Sequence, residues 1–221
     1  MGDNLPTFRT LVTTFTDFFT VAIHSILYER SIYPKTSFLS ARKYNFAVRQ
    51  NRHPKVCEWI NDAVSAVETE LLKGSIDRVV VLIYTKSNLP RERFVFDLSR
   101  FPVVPASEAD TLLRQPGANG EESILPIFDI EEQFRATMSK IANCSTTLKP
   151  LPEGCTFTVA IELKAQGQAP VGHPQPWIPT ESPREAAPNE EGNARTIPLR
   201  RIAAGSVVFE SWIEECAEND S

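Results

Sequence analysis

The run Val207-Val208-Phe209-Glu210-Ser211-Trp212-Ile213 decides how the whole chain is read. It is β-branched and aromatic, with no Pro or Gly, which is the composition of a strand. What precedes it has the opposite character. Between Ala165 and Arg195 stand Pro170, Pro174, Pro176, Pro179, Pro183 and Pro188 with scattered Gly and Glu, a composition that by itself reads as disorder. A disordered tail does not close on a strand-forming run, and Thr196 to Arg200 is a second such run just before it. Trp177-Ile178 also places apolar residues inside the Pro-rich part. The chain therefore leaves an ordered body near Lys164 and comes back to it.

That body is legible outward from the same point. Cys155 to Lys164 follows Gly154 and alternates Phe157, Val159, Ile161 and Leu163 with polar residues, the period of a strand with one face buried. Val79 to Thr85 is a continuous β-branched run that suits a strand covered on both faces. A polar turn from Lys86 to Arg91 joins it to the alternating Phe94 to Leu98, which predicts a hairpin. Three helices are predicted. Residues 7–32 carry Phe8, Leu11, Val12, Phe15, Phe18, Phe19, Ala22, Ile23, Ile26 and Leu27 at spacings of three and four, a face broad enough for a central helix. Tyr33-Pro34 is expected to end it. A second helix starts at His53-Pro54, with proline where no amide partner is needed, and runs to Gly74. A third spans Ile127 to Asn143. Thr36 to Gln50 looks irregular or weakly extended, and Pro102 to Ser123, without periodicity, reads as an exposed insertion. The fold class that follows is α+β: three helices on a mainly antiparallel sheet, in one domain over 1–221, with a core of 1–164 and a returning region of 165–221.

The chain has 221 residues and a net charge of −5, and no basic cluster large enough to dominate it, so direct nucleic-acid binding is not expected. No uninterrupted apolar stretch long enough to span a membrane is present, and Met1 to Pro6 lacks the basic start of a secretory signal; no membrane association is expected. Four cysteines without a C-x-x-C pair suggest reduced thiols, with a Cys144–Cys155 bridge as the alternative. Phosphate-cradling glycine motifs and a nucleophile elbow are absent from the sequence. The histidines do not form a metal set: His24 sits in the first helix, His53 before a proline with its imidazole near a helix start, and His173 in the Pro-rich excursion. The adjacent acidic pairs Glu121-Glu122, Glu131-Glu132, Glu190-Glu191 and Glu214-Glu215 cannot converge on one substrate, and solvated faces account for them. The cluster Arg42, Lys43, Arg49, Arg52 and the later Arg195, Arg200, Arg201 are read as surface charge or as contacts with an acidic protein partner. Neither an enzyme nor a cofactor is indicated. What remains is a sheet edge that could recruit an extended peptide, and two tryptophans, Trp59 and Trp177, that pattern alone leaves open between core and binding roles.

Taken in order, several segments resemble the HORMA family, in the branch of the non-catalytic accessory subunit of DNA polymerase zeta. They run from Ala22-Ile23-His24-Ser25-Ile26-Leu27-Tyr28 and Tyr33-Pro34, through Arg42-Lys43-Tyr44-Asn45, His53-Pro54, Val79-Val80-Val81 and Arg93-Phe94-Val95-Phe96. The most telling is Pro152-Glu153-Gly154-Cys155-Thr156-Phe157-Thr158-Val159, followed by Pro176-Trp177-Ile178, Ile197-Pro198-Leu199-Arg200 and Trp212-Ile213-Glu214-Glu215. The resemblance implies a safety belt from about Ala165 onward that closes over a proline-containing peptide of the polymerase catalytic subunit. It implies peptide contacts at Trp59, Trp177 and Ile178. It implies a surface at Thr196, Ile197, Pro198, Glu210 and Trp212 for a deoxycytidyl-transferase translesion polymerase, although Thr196 and Glu210 depart from the apolar and amide residues expected there. Arg135 and Lys140 on the third helix match the surface through which such domains form homodimers or pair with another HORMA domain. A remodelling AAA+ ATPase as a further partner and a nuclear location follow from the same resemblance. A spindle-checkpoint or meiotic HORMA adaptor is the alternative.

Overall fold

The computed structural model describes residues 6–116, 122–124, 127–165, 195–204 and 207–216. Helix α1 (Phe8–Glu29) is capped by Thr7, whose hydroxyl accepts from the Thr10 amide at 3.1 Å. It ends four residues before Tyr33, because Ser31 adopts a left-handed backbone (φ 53°). The helix is long and apolar enough to cross a membrane, but its Phe, Leu and Ile side chains are buried inside the domain. Helices α2 (Pro54–Leu72) and α3 (Ile127–Ile141) both pack against α1. Helix α2 begins at the proline, as the sequence predicts, and Gly74 past its end has φ 69°. His53 makes no side-chain cap bond, so its imidazole does not serve the helix entry; its own amide donates instead to Asn51 Oδ1.

Between α1 and α2 the chain is more ordered than expected. Residues 36–50, read as irregular, form most of a hairpin of β1 (Phe38–Lys43) and β2 (Phe46–Asn51). The turn residues Tyr44 and Asn45 both have positive φ (54° and 53°), the geometry of a two-residue hairpin turn. No glycine marks that turn, which hid it from the sequence reading. Val48 and Ala41 face the core and secure the register.

The main sheet contains β3 (Ile76–Tyr84), β4 (Pro90–Asp97), β7 (Thr156–Leu163), β8 (Arg195–Ala204) and β9 (Val207–Glu215) in the order β7-β3-β4-β9-β8, every pair antiparallel. A short pair, β5 (Arg114–Pro116) and β6 (Glu122–Ile124), precedes α3. Part of the stretch read as an exposed insertion is tied to the body: Arg9 pairs with Asp110 at 2.6 Å, Leu112 bridges to Thr7, and Ala109 is buried. The helices cover one face of the sheet. Phe19 meets Phe96 of β4 edge-on at 5.3 Å, Phe15 meets Phe209 of β9 at 5.6 Å, and Phe18 stacks on Phe134 of α3 at 4.2 Å. The returning strand β9 is therefore part of the core, docked on β4 through the register Phe94↔Ile213 and Val95↔Trp212.

Topology fixes what the connection must do. Strand β7 ends beside the start of β3, since Leu163 pairs with Ile76, whereas β8 starts beside the end of β9, since Arg195 pairs with Glu215. The chain thus leaves one edge of the sheet at one end and re-enters the opposite edge at the other. Four strand spacings, about 19 Å, separate those edges.

Candidate peptide edge and partner surfaces

Strand β7 is an edge strand: among the described residues it pairs with β3 alone. Its outer backbone groups are therefore offered to an added strand. Beside this edge stands an aromatic cluster. Phe157 of β7 lies edge-on to Trp59 of α2 at 5.0 Å and to Tyr33 at 6.4 Å. Trp59 is half-buried, packed against the core on one side and open on the other. The alternation along β7 turns Phe157 inward, and the helical spacing in α2 places Trp59 off the buried stripe and against it. Phe157 and Tyr33 were not anticipated as site residues. Their signal lay in the strand alternation, but their meeting with Trp59 is a tertiary fact. Trp177 and Ile178 lie outside the described residues.

The second surface is the face of the sheet turned away from the helices. Thr196, Pro198, Glu210 and Trp212 are on this face, with Pro198 paired to Trp212 and Glu210 to Arg201. Ile197 is not on it: its side chain packs against the core, because neighbouring residues on a strand point to opposite faces. A charge ladder that the sequence reading did not identify runs through the middle. Arg78 donates to Asp97 and to Glu162, both at 3.0 Å, and Arg93 donates to Glu162 at 2.6 Å and to Glu214 at 2.7 Å. Burial tends to raise the Asp97 carboxyl, but hydrogen bonds from Ser99 and Arg78 outweigh it and hold it below the usual carboxylate range. Trp212 is fixed by the same ladder: its indole N–H donates to Glu214 at 2.8 Å and the Arg78 guanidinium sits 5.7 Å from its ring. The two-residue spacing of 78 and 80, of 93 and 95 and of 212 and 214 could have shown this shared face, once the strand registers were known.

The acidic pair Glu214-Glu215 corrects the reading of solvated faces. Glu214 sits in the ladder, while Glu215 points inward, is buried, and accepts from the Lys149 amide at 2.7 Å. Next to it Glu92 is bound by buried Arg30, whose Nε donates at 2.9 Å. Burial pushes the Glu92 carboxyl up, against the pull of Arg30. Arg195 approaches Glu215 at 3.9 Å, Arg200 donates to Gln133 of α3 at 2.9 Å, and Arg201 faces Glu210 at 3.6 Å.

On α3, Arg135 is exposed and loosely paired with Glu132 at 3.4 Å; Lys140 is also exposed. Five positions apart, the two leave the helix about 140° from each other, so they do not share one line on its surface. His24 is buried, and its Nδ1 accepts from the Asn51 amide at 3.3 Å. Burial lowers its pKa to about 4. All four cysteines are free. Among the described residues no group of His, Cys, Asp and Glu is arranged to hold a metal ion.

An antiparallel sheet backed by three helices and closed by a late-returning hairpin, with β7 at its edge among the described residues, is the HORMA architecture, and the chain belongs to the HORMA family: the HORMA domain matches residues 12–206. It is 33% identical to the DNA polymerase zeta processivity subunit of Schizosaccharomyces pombe, over 93% of each chain. It is 32% identical to the mitotic spindle assembly checkpoint protein MAD2B of Danio rerio, over 93% of this chain and 90% of that one. Its fold matches a chain of the mitotic checkpoint complex crystal structure with a TM-score of 0.70 at 20% identity, covering 94% of this chain and 99% of that one. It also matches Caenorhabditis elegans HTP-1 bound to a HIM-3 closure motif, with a TM-score of 0.61 at 14% identity over 97% and 94%.

Proposed function

We propose that this chain is a non-catalytic adaptor subunit of a translesion DNA polymerase zeta, acting in the nucleus. It traps a proline-containing peptide of the polymerase catalytic subunit between the edge of β7 and the segment that joins the sheet's two edges. The observation that carries this reading is the topology. The free β7 edge, with Trp59 and Phe157 beside it, and the docked β8–β9 hairpin stand on opposite sides of one sheet. In this reading the segment joining them closes over whatever occupies the edge. An edge strand gives affinity through backbone hydrogen bonds and the neighbouring aromatics give specificity. Similarity over nearly the full length to the DNA polymerase zeta processivity subunit of Schizosaccharomyces pombe supports the polymerase peptide as the ligand; similarity of almost the same extent to MAD2B keeps a checkpoint ligand as the second reading.

In the same reading, Trp212 with Thr196, Pro198 and Glu210 forms the bridge to a deoxycytidyl-transferase polymerase, Arg135 supports pairing with a second HORMA domain, and an AAA+ ATPase reopens the belt. Trp177 anchors the trapped peptide. Titration calorimetry with the catalytic subunit's peptide tests it: Trp177→Ala weakens binding by about 2 kcal/mol, roughly thirtyfold, as a central aromatic anchor does. Unchanged affinity, or tighter binding of a checkpoint-derived peptide, refutes the assignment.

A further inference from the structure

From Arg30 to Cys57 the sequence contains no Asp or Glu, although the chain as a whole is net −5. This stretch folds into the β1–β2 hairpin and the entry to α2, and it concentrates cations in an unusual way. Arg42 donates to the Asn45 side-chain oxygen; Arg49 and Lys35 lie against the Tyr28 ring at 4.8 Å and 5.1 Å; Arg52 donates to the Thr36 carbonyl at 3.0 Å. Each is positioned by a neutral partner, and among the described residues none of the four pairs with a carboxylate. On the main sheet, by contrast, Arg78 and Arg93 each bind two carboxylates and Arg201 faces one. Four pre-oriented, un-neutralised cations make a strip suited to a negatively charged ligand.

Backbone geometry adds a direction to that strip. A two-residue turn at Tyr44-Asn45 makes Lys43 and Phe46 the closing hydrogen-bonded pair, so Ala41–Val48 and Leu39–Gln50 are bonded pairs too. The N–H and C=O groups of Ser40 and Arg42 then point away from β2, along an edge that no described strand covers. Arg42 and Arg49 stand on the same face of the hairpin, and Arg42 lines an open groove of 520 Å³ with Ser40, Ala41, Asn45 and Ala47.

We propose that this hairpin is a second docking site, which binds an extended acidic segment of a partner protein as a strand added to the free edge of β1. Carboxylates at alternate positions, about 7 Å apart, reach Arg42 and Arg49, while the segment's backbone pairs with Ser40 and Arg42. A nucleic acid offers no strand backbone for that edge, and the chain's overall negative charge opposes a long polyanion. The site is separate from the β7 edge and does not depend on the polymerase reading.

The test uses the full chain and a fluorescein-labelled octapeptide of alternating Glu and Thr, followed by fluorescence anisotropy. Saturable binding is expected, with the Lys-Thr counterpart inert. Arg42→Gln with Arg49→Gln weakens it at least about tenfold. Methylating alternate backbone nitrogens of the peptide, which removes strand pairing and leaves its charge, weakens it comparably. That arm decides alone if the double variant fails to fold. No binding of the Glu-Thr peptide, equal binding of the methylated peptide, or tighter binding of a single-stranded oligonucleotide of equal charge each overturns the proposal.

Discussion

His24 shows how a polar residue is accommodated in the middle of an apolar helix. It is 4% exposed, and its neutral imidazole accepts one hydrogen bond from the Asn51 amide, tying α1 to the end of β2. With its pKa lowered to about 4 in the fold and near 6.5 when unfolded, protonation favours the unfolded chain. Its contribution is therefore intact above pH 6.5 and lost as pH falls towards 4, reaching about 3 kcal/mol. Urea denaturation at pH 7 and pH 4.5 should show a smaller acid loss in His24→Gln, which keeps an acceptor that does not titrate there, than in the natural chain. Parallel losses would contradict the argument. At this scale the sequence was informative about burial and poor about partners. Phe8 to Leu27 were recognisable as core from spacing alone. That Trp59 would meet Phe157, or Arg30 would meet Glu92, depends on contacts between distant segments that no local pattern encodes.

Elements were legible where periodicity ran long. The three helices and the strands β3, β4, β7, β8 and β9 have the extents expected to within a few residues, apart from β4, which begins at Pro90, and β8, which runs on to Ala204. The β1–β2 hairpin was not, because Tyr44 and Asn45 make its turn without glycine and its exposed positions are too mixed to alternate clearly. Another feature hidden at this level is the pin between elements at the end of β9. Arg30 closes α1, Glu92 opens β4, and Glu215 ends β9 while binding the Lys149 amide ahead of β7. The Arg30–Glu92 pair is nearly solvent-free, with side chains 5% and 2% exposed. Removing the guanidinium by Arg30→Met leaves the Glu92 carboxylate buried beside Glu215, and should cost about 3–5 kcal/mol. The loss should appear in equilibrium unfolding and as faster amide exchange in β9 than in β3. A loss under 1 kcal/mol would mean that water reaches the pair.

For the whole molecule, the decisive clue was that a Pro-rich stretch is followed by two strand-forming runs. The sequence could say that the chain returns. It could not say to which edge, because hydrophobic patterning is blind to the order of strands within a sheet. Docking of β9 on β4 places the returning hairpin opposite β7 and, among the described residues, leaves the β7 edge unpaired. Self-association belongs to this scale as well: reversing charge by Arg135→Glu should yield monomers by light scattering while peptide affinity is kept, and unchanged oligomers would remove Arg135 from the interface. The central claim concerns how a ligand leaves. If the segment from residue 165 to residue 195 encircles the peptide, release requires undocking the β8–β9 hairpin, with its ladder to β4 and the Phe209 contacts. The direct measurement is the dissociation rate of a labelled catalytic-subunit peptide chased with excess unlabelled peptide. The account predicts release over minutes or longer, markedly faster when the hairpin is loosened by Arg30→Met. Release within seconds, or a rate indifferent to that substitution, would contradict an encircling belt.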